Sequence, residues 1–438
     1  MNHFIGHALA RPGDDHHTLS SAFLRHLSQA TGCAIVRGAG MQVWDAHDAC
    51  LLDGVCGLYG NTLGHGHAAL AAAARPMSTP ANDPLTAQLA LNAALSARLS
   101  ADGARVLSAS TREVAWQAML RAVHHYWTAV GQPDRRLIIT CHDGEPEAAV
   151  SGRARRSAPE DSLRIAAPDW FGHDGYLNEY EFGLAAARTL EQRILELGAE
   201  HVAAFIAEPF SAASGLLHPP YSYWPEIQRI CTRHHVLLCI DEGIGGCGRT
   251  GQWFAHTQLR FSPDIVLLTQ GLTSALAPLA ALVLSPQIVD ALAAIEGAIP
   301  VDGRIGQADP TATAIALANL RALDEGGLAR QVEHDTGLYF QHCLRERFDN
   351  HPLVGDIQGN GMLAALQLSP DPARRTRFAD EAAVGVDCAR QALAQGVLMR
   401  AAAARILLAP PMIATHADID GLVERLGAAV DASARRML

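Results

Sequence analysis

The chain has 438 residues, of which 49% are hydrophobic and 18% charged, and its formal net charge is −11. This length and hydrophobic content are typical of a folded, enzyme-sized protein and exclude a disordered chain. The negative charge argues against a surface for nucleic acid or anionic membranes. All 34 Lys+Arg positions are arginine, which excludes chemistry that needs a lysine amine.

The N-terminal residues Met-Asn-His-Phe-Ile-Gly-His lack a basic segment followed by an apolar one, and no apolar run reaches about 18 residues. We therefore expect a cytoplasmic protein that neither crosses nor binds a membrane. The nine cysteines form no Cys-x-x-Cys pair, which favours reduced thiols over disulfides or a metal site.

Short apolar runs alternate with segments of helical spacing through the middle of the chain. Helical spacing is found at residues 111–130 and 184–197. The apolar runs are residues 105–108, 137–140, 202–207, 236–240, 265–268 and 279–284. This alternation predicts an α/β fold with a largely parallel sheet covered by helices.

A Gly-rich loop at residues 301–310 separates this region from a helix that we expect to begin near Thr311. Beyond it, a strand at 362–368 and a final helix from Asp418 indicate a smaller α/β domain. We predict a large domain of residues 60–300, and a small domain built from residues 1–59 together with 301–438.

Ligands of parallel α/β sheets bind beyond the carboxyl ends of the strands. Polar side chains follow several of the predicted strands, and we expect them to converge in space. They are residues 108–111, 140–143, Glu208, 241–242 and 269–270.

Several spaced motifs together resemble the class III aminotransferases, the ω-aminotransferase branch of the fold-type-I pyridoxal phosphate enzymes. They are residues 43–53, 60–67, 207–209, 237–251, 262–272 and 409–412. The resemblance implies a mostly parallel, seven-stranded type of sheet sandwiched by helices. It also implies a homodimer with the active site at the subunit interface, and a small-molecule substrate.

The resemblance also shows where this chain departs from the family. The position of the lysine that forms the internal aldimine is Gln270, and an amide forms no imine. The family's aspartate that pairs with the pyridine nitrogen is retained as Asp241. Four other cofactor or substrate positions align with Ile244, His142, Ile305 and Leu407.

The family's phosphate cradle aligns with residues 109–111, where a glycine is lost but Ser110 and Thr111 keep their hydroxyls. Each buried phosphate or phenolate oxygen without a donor costs roughly 1–3 kcal/mol. We therefore expect no covalently held cofactor. Non-covalent pyridoxal phosphate or pyridoxamine phosphate stays possible but is not favoured.

Candidate catalytic groups are His142, Asp143, Glu208, Asp241 and Gln270. His142 beside Asp143 has the composition of a general base with an orienting carboxylate, or of a solvated loop. Asp241 is either held by neighbouring amides or faces a cationic ligand nitrogen. Gln270 has the groups to orient a ligand carbonyl or amide.

Other polar residues of these motifs have structural interpretations. Glu242 and Arg249 are expected to form structural pairs in the turn that ends at residue 251. His65 and His67 belong to the family's turn, and no metal ligation is expected from them.

Three hypotheses remain open from the sequence. The first is an enzyme that performs acid–base chemistry on a small polar metabolite without the cofactor. The second is a lysine-free enzyme that uses pyridoxamine phosphate with a histidine base. The third is a catalytically silent homologue that binds a ligand or stabilises a partner enzyme of the same pathway.

Overall fold

The computed structural model describes residues 35–57, 59–75, 84–99, 103–141, 163–173, 175–212, 214–293 and 308–438. The predicted site residues His142 and Asp143, and the aligned Ile305, lie outside these ranges. None of the helices in the described ranges combines the length and apolar character needed to span a bilayer.

The strands of the described ranges are β1 (Ile35–Ala39), β2 (Gln42–Asp45), β3 (Cys50–Asp53), β4 (Arg105–Ala109), β5 (Leu137–Cys141), β6 (Arg164–Ile165), β7 (Val202–Ala207), β8 (Leu237–Asp241), β9 (Ile265–Leu268), β10 (Ala280–Leu284), β11 (Val354–Asn360), β12 (Leu363–Leu368), β13 (Val397–Leu398), β14 (Arg400–Ala402) and β15 (Arg405–Leu408). The helices are α1 (Ala68–Ala73), α2 (Pro84–Ser96), α3 (Arg112–Ala129), α4 (Glu179–Leu197), α5 (Tyr223–His234), α6 (Ala255–Gln258), α7 (Pro286–Ala293), α8 (Pro310–Glu325), α9 (Leu328–His334), α10 (Thr336–Phe348), α11 (Glu381–Ala394) and α12 (His416–Met437).

A seven-stranded sheet with the order β4-β10-β9-β8-β7-β5-β6 forms the centre of the fold. Strands β6, β5, β7, β8 and β9 run parallel, whereas β10 is antiparallel to both of its neighbours. Every residue of β7, β8, β9 and β10 is buried, as expected for apolar strands covered on both faces. This confirms the predicted fold class.

Helices cover the two faces of the central sheet. Ile206 belongs to the same apolar cluster as Met119 of α3, whereas its neighbour Phe205 belongs to a different cluster, with Leu190 of α4 and Ile227 of α5. Successive residues of a strand point to opposite faces, so the two clusters assign α3 to one face and α4 with α5 to the other.

Two smaller sheets complete the fold, with the orders β1-β2-β3-β13 and β11-β12-β15-β14. In the first, β13 pairs in parallel with β3, so that Val397 lies opposite Leu52 and Leu398 opposite Asp53. The division into residues 60–300, and 1–59 with 301–438, stays a prediction.

Helix caps explain why several helices begin before the positions expected from apolar spacing. The helix predicted from residue 184 begins at Glu179, because Asn178 and Glu181 form a capping box. Thr415 and Asp418 form a second capping box, which starts the last helix at His416. Such caps are polar, so the apolar period does not report them.

Candidate active site

Three of the predicted site residues follow or end adjacent parallel strands. Glu208 comes directly after β7, Asp241 is the last residue of β8, and Gln270 follows β9 by two positions. A methyl group placed on Gly243 would lie 3.0 Å from Asp241 Oδ1 and 3.4 Å from Gln270 Oε1. The strand ends thus bring Asp241 and Gln270 to the same glycine, at the edge where α/β sheets bind ligands.

The carboxylate of Asp241 is bound by the guanidinium of Arg112. Asp241 Oδ2 accepts hydrogen bonds from Arg112 Nε at 3.0 Å and from Nη2 at 2.5 Å, and Oδ1 accepts one from the Gly243 amide at 2.9 Å. The Asp241 side chain is buried, whereas that of Arg112 is 31% exposed. The Gly243 amide thus holds Asp241, and the cation that the carboxylate faces is a residue of this chain, so that a ligand nitrogen at Asp241 stays a prediction.

Arg112 reaches Asp241 because it is the first residue of α3, beyond the end of β4. Thr111 is the N-cap of this helix, and its Oγ1 accepts a hydrogen bond from the Val114 amide at 3.3 Å. Ser110 lies directly before it and is partly buried. The hydroxyl of Thr111 is thus used in capping the helix.

Glu208 lies in the same electrostatic environment. Its Oε2 accepts a hydrogen bond from the Ala212 amide at 2.8 Å. Burial, together with repulsion from Asp241, raises the pKa of Glu208 to about 7, although Arg112 and the amide of Ala212 oppose the rise. A carboxyl group with a pKa near neutrality exchanges protons readily at physiological pH, which suits a general acid or base.

Tyr59 and Arg400 form the other charged part of this region. Burial raises the pKa of Tyr59, the charge of the Arg400 guanidinium opposes the rise, and the charge of Glu208 adds to it. Tyr59 has a positive φ of 72°, an uncommon backbone conformation for a tyrosine. Arg400, Tyr59 and Glu208 therefore interact, next to the Arg112–Asp241 pair.

The turn that carries Gln270 is held closely against the chain near Gly60. Thr269 Oγ1 donates a hydrogen bond to Gln270 Oε1 at 3.1 Å. A methyl group on Gly60 would lie 2.8 Å from Gln270 Cβ, so only glycine allows this approach. Asn319 Nδ2 also donates to the carbonyls of Gly271 and Leu272, at 2.8 and 3.0 Å.

A buried polar network lies behind this turn. His65 Nε2 is 2.7 Å from Asp53 Oδ2, and His65 Nδ1 is 3.2 Å from Asn61 Nδ2. Ser274 Oγ donates to Asn61 Oδ1 at 3.0 Å. His67 is the N-cap of α1. In the described ranges, no three His, Cys, Asp or Glu side chains form a group able to hold a metal ion.

Glu242 forms a structural pair, as expected, but its partner is a histidine. Arg249 binds backbone carbonyls instead of a charged side chain. Glu242 binds His256, with 2.9 Å between Oε1 and Nδ1, and accepts from the amide of Ala255 at 3.0 Å. Arg249 Nη1 donates to the carbonyl of Pro410 at 2.9 Å. Both side chains are buried and anchor this turn to neighbouring segments.

Two apolar residues of this chain that align with polar residues of the family lie in the described ranges. Leu407 is fully buried in β15, and Ile244 packs against the same apolar cluster. Sequence reasoning missed Arg112, Tyr59 and Arg400, which supply the cations and the phenol of this site. Two of these residues could have been found only by their place in the sequence. Arg112 directly follows Thr111 of the aligned phosphate cradle, and Tyr59 directly precedes the motif that begins at Gly60.

Comparison with known proteins gives consistent results. The model of the aminotransferase class-III family matches residues 24–430. A putrescine–pyruvate aminotransferase of Pseudomonas aeruginosa is 34% identical, with 97% of this chain and 96% of that protein covered. A diaminobutyrate–2-oxoglutarate transaminase of Halomonas elongata is 29% identical, with coverages of 92% and 91%.

Solved structures show the same similarity. An ω-transaminase of Pseudomonas jessenii in complex with PMP superposes with a TM-score of 0.82 at 27% identity, covering 94% of this chain and 95% of that one.

Proposed function

We propose that this chain, which belongs to the class III aminotransferase family, uses the polar side chains at the carboxyl ends of β7, β8 and β9 for acid–base chemistry on a small polar metabolite, without a covalently held cofactor. The observation that carries the proposal is the Arg112–Asp241 ion pair in a chain that has no lysine.

The residues at this site do not fit a pyridoxal phosphate held as in the family. No side chain of the chain is a primary amine, so none forms an imine with the aldehyde. The Oδ2 atom of Asp241, the carboxylate that would face the pyridine nitrogen, already accepts two hydrogen bonds from Arg112. The phosphate cradle has lost its glycine, and the Thr111 hydroxyl also caps its own helix by accepting from the Val114 amide.

Glu208 is the group that we assign to proton transfer. Its raised pKa divides its population between the acid and the carboxylate near pH 7, so that it donates or accepts a proton. Arg112 and Arg400 stabilise negative charge on the ligand, and Asp241 orients Arg112. Gln270, whose Oε1 is fixed by Thr269, offers an amide N–H to a ligand oxygen.

His142 with Asp143 remains the proposed second acid–base pair, because in the sequence they follow Cys141, which ends β5 at the same edge of the sheet. We also propose a cytoplasmic homodimer. The exposed side chains of Leu85 and Leu89, one helical turn apart on α2, support it because they form an apolar face. Light scattering that gives the mass of a monomer would contradict the dimer.

Two measurements test the proposal. Isothermal titration with pyridoxal phosphate and with pyridoxamine phosphate is expected to give no stoichiometric binding, and added pyridoxal phosphate to give no absorption band that borohydride removes. A panel of small 2-oxo acids, hydroxy acids and amino acids is then incubated with the protein in D₂O, and proton NMR monitors their conversion and their exchange of hydrogen for deuterium. We expect one of them to be converted or to exchange hydrogen, and Glu208→Gln to slow this at least ~100-fold.

The other hypotheses correspond to other outcomes. Stoichiometric binding of pyridoxamine phosphate would favour the lysine-free cofactor enzyme, which the retention of Asp241 at the end of β8 supports. Ligand binding without conversion or exchange of any panel member would favour the silent homologue.

A further inference from the structure

We propose that a cavity at the amino ends of β8 and β9 binds a small organic ammonium ion through Asp264. The cavity has a volume of about 450 Å³, and its lining includes Tyr126, Trp127, Leu237, Asp264 and Gln287. This volume is in the range of small-molecule sites. The proposal is independent of the chemistry assigned to Glu208.

The cavity lies at the opposite edge of the sheet from the candidate active site. Leu237, in its lining, is the first residue of β8, and Asp241 is the last. Four steps along a strand span roughly 13 Å, and the sheet lies between the two regions. A ligand in this cavity therefore does not contact Asp241 or Glu208.

Asp264 is a half-buried carboxylate that belongs to the lining of the cavity. Its Oδ2 accepts a hydrogen bond from the Leu238 amide at 2.8 Å. In the described part of the chain, its other carboxylate oxygen accepts no hydrogen bond, and no Arg or His nitrogen lies within the 4 Å of an ion pair. Burial raises the pKa of Asp264 to about 6, so the group is still ionised at pH 8. One carboxylate oxygen of Asp264 is therefore available to a cation that enters the cavity.

The other features of the cavity also favour a cation. Helices α3 and α5 both end at it, since Trp127 and His235 belong to its lining, and helix C-termini attract positive charge. The lining contains no arginine. The guanidinium carbon of Arg135 lies 4.4 Å from the centre of the Trp127 ring, but Arg135 binds backbone carbonyls and not Asp264.

The shape of the lining indicates an ammonium ion with a short apolar tail. Trp127, Val130 and Leu237 supply apolar surface beside the carboxylate, and the Gln287 amide and Tyr126 hydroxyl are already hydrogen-bonded to each other at 2.8 Å. An ammonium group would pair with the uncompensated oxygen of Asp264, whereas a carboxylate would be repelled by it.

Titration calorimetry with n-butylammonium at pH 8 tests this inference, with n-butanol and butyrate as neutral and anionic analogues. We expect only the ammonium to bind, and Asp264→Asn to weaken it at least ~10-fold, because the neutral amide still accepts from Leu238 but carries no charge. The matched control is Asp290→Asn, which removes an exposed carboxylate on α7. A second variant, Thr232→Trp, fills the cavity from an exposed lining position and should also abolish binding.

The Glu208→Gln variant distinguishes binding in this cavity from binding at the candidate active site. Binding that survives Glu208→Gln and Asp290→Asn but is lost in Asp264→Asn and Thr232→Trp supports the inference. No measurable binding, equal binding of butanol, or binding that survives Asp264→Asn overturns it. Binding lost only in Glu208→Gln would also overturn it, because the amine would then bind at the candidate active site.

Discussion

Arg400 on β14 lies directly opposite Leu407 on β15 in an antiparallel pair. Residues opposite each other in such a pair project from the same face of the sheet, so the guanidinium and the leucine side chain are neighbours. Leu407 is fully buried, whereas Arg400 interacts with Tyr59 beside Glu208. Arg400 thus places a cation on the strand adjacent to Leu407, the position at which the resemblance aligns a family arginine.

We expect Arg400→Gln to weaken the binding of small dicarboxylates such as succinate to the candidate site by about tenfold or more. A charge-assisted hydrogen bond to a carboxylate contributes roughly 1.5–3 kcal/mol. Titration calorimetry measures the affinity, and Leu407→Ile is the control because it keeps the volume and apolar character of the neighbour. Equal affinity of Arg400→Gln and the parent would show that Arg400 does not contact the ligand.

Arg112→Ala should lower the free energy of unfolding by about 2–4 kcal/mol, because it leaves the buried Asp241 carboxylate without its cation. Arg112→Ala combined with Asp241→Asn should recover part of this loss, giving a coupling energy of roughly 1–3 kcal/mol in a double-mutant cycle. Urea unfolding provides the measurement.

Arg193→Ala is the control for this cycle, since Arg193 pairs with the exposed Glu196 on α4. Exposed pairs contribute less than about 1 kcal/mol. Additive effects of Arg112→Ala and Asp241→Asn would contradict the ion pair.

Glu208 should make the protein less stable as the pH rises. Its pKa in the folded protein, about 7, is above the ordinary value of 4.5 for this group, so the folded state holds the proton more tightly than the unfolded state. This contribution is fully present below about pH 4.5 and is lost as the pH rises through about 7.

The side chain that Glu208→Gln introduces is an amide and remains neutral at every pH. Between pH 5 and pH 8, the parent should therefore lose roughly 2 kcal/mol more stability than this variant. Urea unfolding at a series of pH values gives the difference in unfolding free energy between the parent and the variant. Asp264, with its pKa of about 6, does not contribute to this difference because both proteins contain it. Parallel pH profiles would show that the Glu208 pKa is not raised.

Gln270→Lys alone should not produce a borohydride-sensitive absorption band with pyridoxal phosphate, because the Arg112 guanidinium still pairs with the Asp241 carboxylate. Gln270→Lys with Arg112→Ser frees the carboxylate and should give a measurable band. Absorption spectra before and after borohydride distinguish the variants. A band of full intensity in the single variant would show that Arg112 does not exclude the cofactor.

The central sheet could be predicted from the sequence because its strands are continuous apolar runs, such as residues 202–207 and 265–268, separated by segments of helical period. The convergence of Glu208, Asp241 and Gln270 followed from strand order in a parallel sheet. The Arg112–Asp241 pair could not be predicted, because it joins positions far apart in sequence and depends on the exit angle of a capped helix. The interaction of Arg400 with Tyr59 depends likewise on the register of β14 and on a positive φ that apolar patterns do not encode.

The parallel pairing of β3 with β13 has a consequence for the order of folding. Leu52 lies opposite Val397, so an early strand finds its partner only after almost the whole chain has been synthesised. Until then, the edge of β3 exposes unpaired amides and carbonyls, which are sites for aggregation. Pairing between such distant segments closes a very long loop, and we expect this sheet to form late and slowly, after the helices that cover the central strands.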